Sequence, residues 1–193
     1  MDRRTFLFTA LACTRLPGGP WFKRKEPDLK TYITKNLHHS LQRHPNKTKI
    51  INRYVKVINQ YADKYCLPVM IVAKVIKVES GFRWWVKSEK GASGPMQIMT
   101  KVWSGTIHHA LNKRQRIEAI NSKKPLLVYE KYVKQIGIGV DVGCKILKHY
   151  LDEYQDMSLA LMAYNNGPYS KRFKSALRNM SIAHKNKYVR SIL

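Results

Sequence analysis

Apolar residues recur along this chain at spacings of three and four, the period of a helix with one buried face, and no strand alternation of useful length interrupts them. The first clear stripe is Ile50, Ile51, Tyr54, Val57, Ile58 and Tyr61, with Asn46 placed to cap its start and the pattern fading at Lys64 and Tyr65. Pro68 then stands where the first turn of a helix has no use for an N–H. Val69, Val72, Ala73 and Ile76 mark a second buried face that, continued by three, lands on Glu79. Residues 80–94 are rich in glycine and poor in helix signals, which predicts a loop with a short extended piece at 82–86. Pro95 predicts a helix start over about 96–111, followed by a polar connection with partial helix over 112–122. Pro125 opens another helix over 126–135, and Val140, Cys144, Leu147 and Leu151 share one face of a longer one. Asp156 or Ser158 can cap a helix holding Leu159, Met162 and Ala163, which Gly167-Pro168 ends. Two short helices, about 170–178 and 182–191, finish the chain. The expected fold is mainly α, made of short, uneven, non-parallel helices rather than a bundle.

Composition adds a partner class. Thirty-six Lys and Arg against 12 Asp and Glu give a formal charge of +24, and 44% of the 193 residues are hydrophobic, enough for one core. Such a charge attracts polyanions, and DNA, RNA, anionic lipid and bacterial cell wall all qualify. The lysines are scattered along the chain, which predicts a solvated basic face. No base-reading motif accompanies them, so no specific nucleic-acid partner is expected.

The start of the chain reads as an address. Arg3 and Arg4 precede the short apolar run from Phe6 to Ala12, far below the roughly 20 residues that span a bilayer. Residues 1–13 are therefore expected to be an export signal. Leu11-Ala12-Cys13 resembles a bacterial lipoprotein processing site, at which Cys13 would be lipidated and anchor the chain to a membrane, and Arg3-Arg4-Thr5-Phe6-Leu7 resembles a twin-arginine export motif. Residues 14–45, punctuated by Pro17-Gly18-Gly19-Pro20, Pro27 and Pro45, are expected to form a basic tether, and 46–193 a compact, monomeric domain. His38, His39 and His44 lie in the tether without a neighbouring acid or cysteine, so surface roles are expected. Cys66 and Cys144 can pair in an oxidising compartment or remain buried thiols, and their apolar helical surroundings favour the second. Without a C-x-x-C spacing no structural zinc site is expected.

Candidate chemistry centres on Glu79. A carboxylate at the edge of an apolar face is poorly hydrated, so its pKa rises and it can serve as a neutral acid. Phe82, Trp84 and Trp85 offer flat faces for sugar rings, the glycines permit close backbone approach, and Gln97 and Asn165 supply amides for hydroxyl or acetamido groups. Together they describe a carbohydrate cleft.

Four separated segments now carry a resemblance: Glu79-Ser80-Gly81-Phe82 with Ser88; Gly91-Ala92-Ser93-Gly94-Pro95-Met96-Gln97; Leu159-Ala160-Leu161-Met162 leading into Ala163-Tyr164-Asn165-Asn166-Gly167-Pro168; and Tyr188-Val189. In order and spacing they resemble the signatures of the soluble (SLT, family 1) lytic transglycosylase domain, over about residues 47–193. The resemblance implies a lysozyme-like helical fold around a saccharide cleft and cleavage of the β-1,4 bond between N-acetylmuramic acid and N-acetylglucosamine in peptidoglycan, without metal or organic cofactor. It makes Glu79 the sole catalytic acid. Ser80 becomes a sugar contact that helps orient the acid, and Met96 and Gln97 line the cleft. Tyr164 places its hydroxyl near the glutamate, Asn165 is its polar neighbour, and Tyr188 belongs to the wall behind the site. It also implies an envelope location, in the periplasm or on the outer membrane, and partners that include secretion or conjugation machines.

The implied reaction uses Glu79 first as acid and then as base, with the substrate's 2-acetamido group stabilising the cation and its 6-hydroxyl attacking to leave a 1,6-anhydromuramoyl end. A hydrolase would want a second acid to position water; Glu89 is the candidate in this region, and its flanking Lys87 and Lys90 mark it as solvated. Asp141, Asp152, Glu153 and Asp156 read as surface charge. Two positions and one short stretch depart from the family pattern: Pro95 in place of leucine, Asn166 in place of alanine, and His184-Lys185-Asn186 where a Glu-Thr pair is common. A lysozyme-type hydrolase and a wall-binding member with little turnover are the alternative readings.

Overall fold

The structure is a computed structural model that describes residues 27–193. The export signal expected over 1–13, the Cys13 processing site and the first part of the tether lie outside the described residues. Those described form twelve helices and one two-stranded hairpin, so the mainly α expectation holds.

The longest helices make the centre. α3 (Lys47–Lys64) and α4 (Val69–Ser80) present the stripes read from sequence, and Ile51, Tyr54, Ile58, Val72, Ala73 and Ile76 are buried. Asn46 stands at the start of α3, yet its side chain makes no capping bond. α8 (Ile136–Tyr154) is buried on most of its sides and packs against both α3 and α9 (Met157–Asn166). Asp156 caps α9 by accepting a hydrogen bond from the Leu159 N–H.

The tether does not extend through residue 45. Residues 29–42 form α1 (Leu29–Asn36) and α2 (His39–Gln42), and Ile33, Leu37 and Leu41 are buried in the common core. Asp28 caps α1, and α1 packs on α3 and α4. Three apolar side chains at positions 33, 37 and 41 outweigh the prolines that bracket the stretch, because burying each is worth about 1.5–3 kcal/mol. The domain therefore begins before residue 46.

The helix expected over 96–111 is also corrected. Ala92–Ser93 (β1) and Ile98–Met99 (β2) pair antiparallel, and a four-residue turn, Gly94-Pro95-Met96-Gln97, joins them. The Gln97 N–H donates to the Gly94 carbonyl at 3.2 Å, and Gly94 and Gln97 have φ of 83° and 49°. Pro95 thus sits second in a turn, where its fixed φ fits and no N–H is required. Helix resumes only at α5 (Ser104–Ala110). The polar connection contains α6 (Lys113–Asn121), started by an Asn112–Gln115 capping box, and α7 (Pro125–Val133) follows from Pro125 as expected.

At the C-terminus three helices replace the expected two: α10 (Lys171–Arg178), α11 (Met180–Lys185) and α12 (Lys187–Ile192). The break falls at Asn186, whose side chain accepts from the Tyr188 and Val189 N–H groups and starts α12 afresh. Cys144 is a free buried thiol, so Cys66 and Cys144 do not pair with each other. Asp141 is not surface charge. It is buried on the α3 side of α8, where Lys64 Nζ at 2.9 Å and the Tyr65 hydroxyl at 2.8 Å hold it.

Candidate active site

Glu79 is the penultimate residue of α4, and the backbone beyond it is fastened carbonyl by carbonyl. Gly81 ends the helix in the left-handed region (φ 59°) and donates its N–H to the Lys77 carbonyl at 3.0 Å. The Ser80 carbonyl accepts from Arg83 Nε at 2.8 Å, the Gly81 carbonyl from the His38 N–H at 3.1 Å, and the Phe82 carbonyl from the buried Tyr54 hydroxyl at 2.8 Å. Phe82 itself has φ of 66°, unfavourable for a side chain of its size, and these bonds and its full burial hold it there. His38 takes part through its backbone: α2 begins against the end of the helix that carries the acid.

The Glu79 carboxyl is partly exposed, and its Oε1 accepts a hydrogen bond from the Tyr188 hydroxyl at 2.6 Å. Burial pushes its pKa up to about 7, against the lowering effect of the Tyr188 bond. Burial, and then the nearby Glu79 charge, hold the hydroxyls of Tyr164 and Tyr188 well above the usual tyrosine range, so both remain protonated donors. The Tyr164 hydroxyl donates to the Met96 carbonyl at 2.7 Å. The tyrosine that touches Glu79 is thus Tyr188, more intimate than a wall residue, while Tyr164 ties α9 to the hairpin turn.

Two further expectations change. Ser80 is 1% exposed, and its Oγ reaches the Ile76 carbonyl at 3.1 Å and the Pro95 carbonyl at 2.8 Å. Its hydroxyl proton is shared between these two carbonyls, so in the structure Ser80 joins α4 to the turn. The Met96 side chain is fully buried. It does not line a cleft and is the peg of the turn, set against Gly143 of α8, where a Cβ would come within 2.3 Å of its sulfur. Gly139, one helical turn earlier, leaves the same kind of space for Pro95 and for the Val133 carbonyl. Sequence reasoning missed these two glycines, although their spacing of four on one helix face is there to be read.

Gln97 is partly buried, with its amide nitrogen 3.0 Å from the Gly94 carbonyl, and Asn165 is exposed at the end of α9. Asn166 turns back to the Met162 carbonyl at 3.3 Å. Of the expected sugar platforms, Phe82 belongs to the core, Trp84 is partly packed against it, and Trp85 is 43% exposed. Glu89 is exposed on the loop. Two surface grooves, one between α10 and α11 and one beside Trp84 and Trp85, have walls that do not include Glu79. Among the described residues no group of three His, Cys, Asp or Glu side chains is placed to hold a metal ion, and no helix is long and apolar enough to cross a membrane.

The arrangement can give up and take back one proton near neutral pH, from a carboxyl whose position is set by a rigid backbone and one phenol. Residues 56–187 match a family model described as the transglycosylase SLT domain. That stretch includes Glu79, Ser80, Met96, Gln97, Tyr164 and Asn165, and ends one residue before Tyr188. No solved structure matches the chain.

Proposed function

The chain belongs to the transglycosylase SLT domain family, whose members act on peptidoglycan in the cell envelope, and from this we propose that it is a lytic transglycosylase in which Glu79 is both acid and base. The observation that carries the reading is the state of Glu79: a partly buried carboxyl with its pKa at about 7, bonded to Tyr188. A carboxylic acid poised there is neutral in a large fraction of molecules at working pH and can still function as a base once it has given up its proton.

In the first step neutral Glu79 protonates the oxygen that links N-acetylmuramic acid to N-acetylglucosamine, and the C1–O bond breaks. The electron deficiency at C1 is met by the oxygen of the substrate's own 2-acetamido group. Glu79, now ionised and still accepting from Tyr188, removes the proton of the same sugar's 6-hydroxyl. That oxygen bonds to C1, the acetamido oxygen is released, and Glu79 ends protonated as it began. No water is consumed and a 1,6-anhydromuramoyl end results. Gln97 and Asn165 bind the sugars through their amides. Ser80, Met96 and Tyr164 act one step back, by fixing the turn that carries Gln97 to the helix that carries Glu79.

The test is mass spectrometry of muropeptides released from purified sacculi. Anhydro ends, one water lighter than reducing ends, are expected. Reducing ends alone would make the enzyme a hydrolase, and no release would make it a wall-binding protein.

A further inference from the structure

Residues of α3, the loop after α4, the end of α7 and the start of α8 line an open groove of about 530 Å³ whose walls do not include Glu79. Trp84 and Trp85 form one wall, edge to face with ring centroids 4.6 Å apart, and Trp85 is 43% exposed. Lys49 and Arg53, both exposed and one helical turn apart on α3, line the groove, with Lys131 and Lys134 also among its walls. The latter two are compensated: Lys131 pairs with Glu118 at 2.7 Å and Lys134 with Glu130 at 2.8 Å. Lys49 and Arg53 make no ion pair among the described residues. The groove thus combines an exposed indole face with two uncompensated cations.

We propose that this groove is a second binding site for acidic peptidoglycan, which holds a strand segment outside the catalytic centre through a sugar ring on Trp85 and stem-peptide carboxylates on Lys49 and Arg53. The inference rests on the peptidoglycan reading above. A pyranose has an apolar C–H face that covers an indole, and a guanidinium donates two parallel hydrogen bonds to a carboxylate. A run of nucleic-acid bases would ask for several successive stacking platforms. Here Trp85 is the exposed ring and Trp84 is partly packed against the core. A site of this kind keeps the enzyme on an insoluble polymer between cleavage events.

The experiment is co-sedimentation with purified sacculi, with chitin as a neutral polymer and duplex DNA in parallel, in a Glu79→Gln background that leaves the wall uncut. Trp85→Ala and the double variant Lys49→Ala with Arg53→Ala change only exposed side chains, and thermal melting monitors their fold. Each is expected to weaken sacculus binding about tenfold, the effect of losing one good contact. The cation variant should leave chitin binding within about twofold. Sacculus binding within about twofold of the parent for both variants would overturn the proposal, and so would a loss seen with DNA but not with sacculi. If the wild type releases no muropeptides while the variants still lose sacculus binding, the catalytic reading fails and the groove stands. If the wild type releases muropeptides while both variants bind fully, the groove fails and the catalytic reading stands.

Discussion

Glu79 is a residue on which function and stability pull in opposite directions. Its pKa is about 7 in the folded protein against 4.5 for an ordinary glutamate, so between those values the native state binds more protons than the unfolded one. Stability from this group is therefore greatest below pH 4.5 and is lost as pH rises to 7, by up to about 3 kcal/mol. Glu79→Gln, which cannot ionise and can still accept from Tyr188, is expected to abolish muropeptide release. The same change should raise the unfolding free energy by up to about 3 kcal/mol at about pH 8, with the gain vanishing near about pH 4. Urea denaturation at the two pH values measures it, and an equal effect at both would contradict the buried-acid account. Because the neutral form donates the first proton, the rate of release should fall as pH rises through about 7. Tyr188→Phe removes the one bond that holds the pKa down, so the alkaline limb of the pH–rate profile should move to higher pH. A purely structural role for Tyr188 would lower the rate without moving the limb.

At the scale of elements, the site depends on how closely the hairpin turn approaches α8. Helix propensity alone says that Gly→Ala inside α8 should stabilise by up to about 1 kcal/mol. At Gly139 a Cβ would lie 2.3 Å from the Val133 carbonyl oxygen and 2.6 Å from Pro95 Cδ, and neither a backbone carbonyl nor a proline ring can swing aside. At Gly137 nothing lies within 4 Å. Gly139→Ala is therefore expected to cost about 1–3 kcal/mol and to lower activity by displacing the turn, while Gly137→Ala is neutral or mildly stabilising. Parallel thermal melts and release assays compare the two, and matching outcomes would remove the close-approach argument. Pro95 fits the same picture, because a turn second position uses proline's φ and ignores its missing N–H.

At the scale of the whole molecule, the stretch from Asp28 to Gln42, which lies before the family-matched region, belongs to the domain. It contributes buried Ile33, Leu37 and Leu41 and the His38 bond to Gly81. Leu41→Ala is expected to cost about 2–5 kcal/mol by urea denaturation. An unchanged midpoint would return the segment to the status of a tether. The net charge of +24 favours association with polyanions in general. It does not reach the chemistry directly, since burial and the Tyr188 hydroxyl are what shift Glu79.

Much of this protein is legible in the chain itself. Periodicity reports which side of a helix is buried, and so the stripes of α3, α4 and α8 and the placement of Glu79 at the end of one of them follow from residue spacing, while the choice of Asp156 over Ser158 as the α9 cap comes from the structure. Motif order then sets the family. Spacing carries no information about what lies opposite a buried face, and that is left to the tertiary structure. Tyr188 meets Glu79 across 109 positions of sequence, and Ser80 and Met96 turn inward because the Pro95 carbonyl and Gly143 stand there to receive them. A two-residue strand is too short to show alternation, so the hairpin reads as a helix start. Residues 29–42 read as a tether because three apolar positions reveal a buried face only once α3 and α4 supply the surface that covers them.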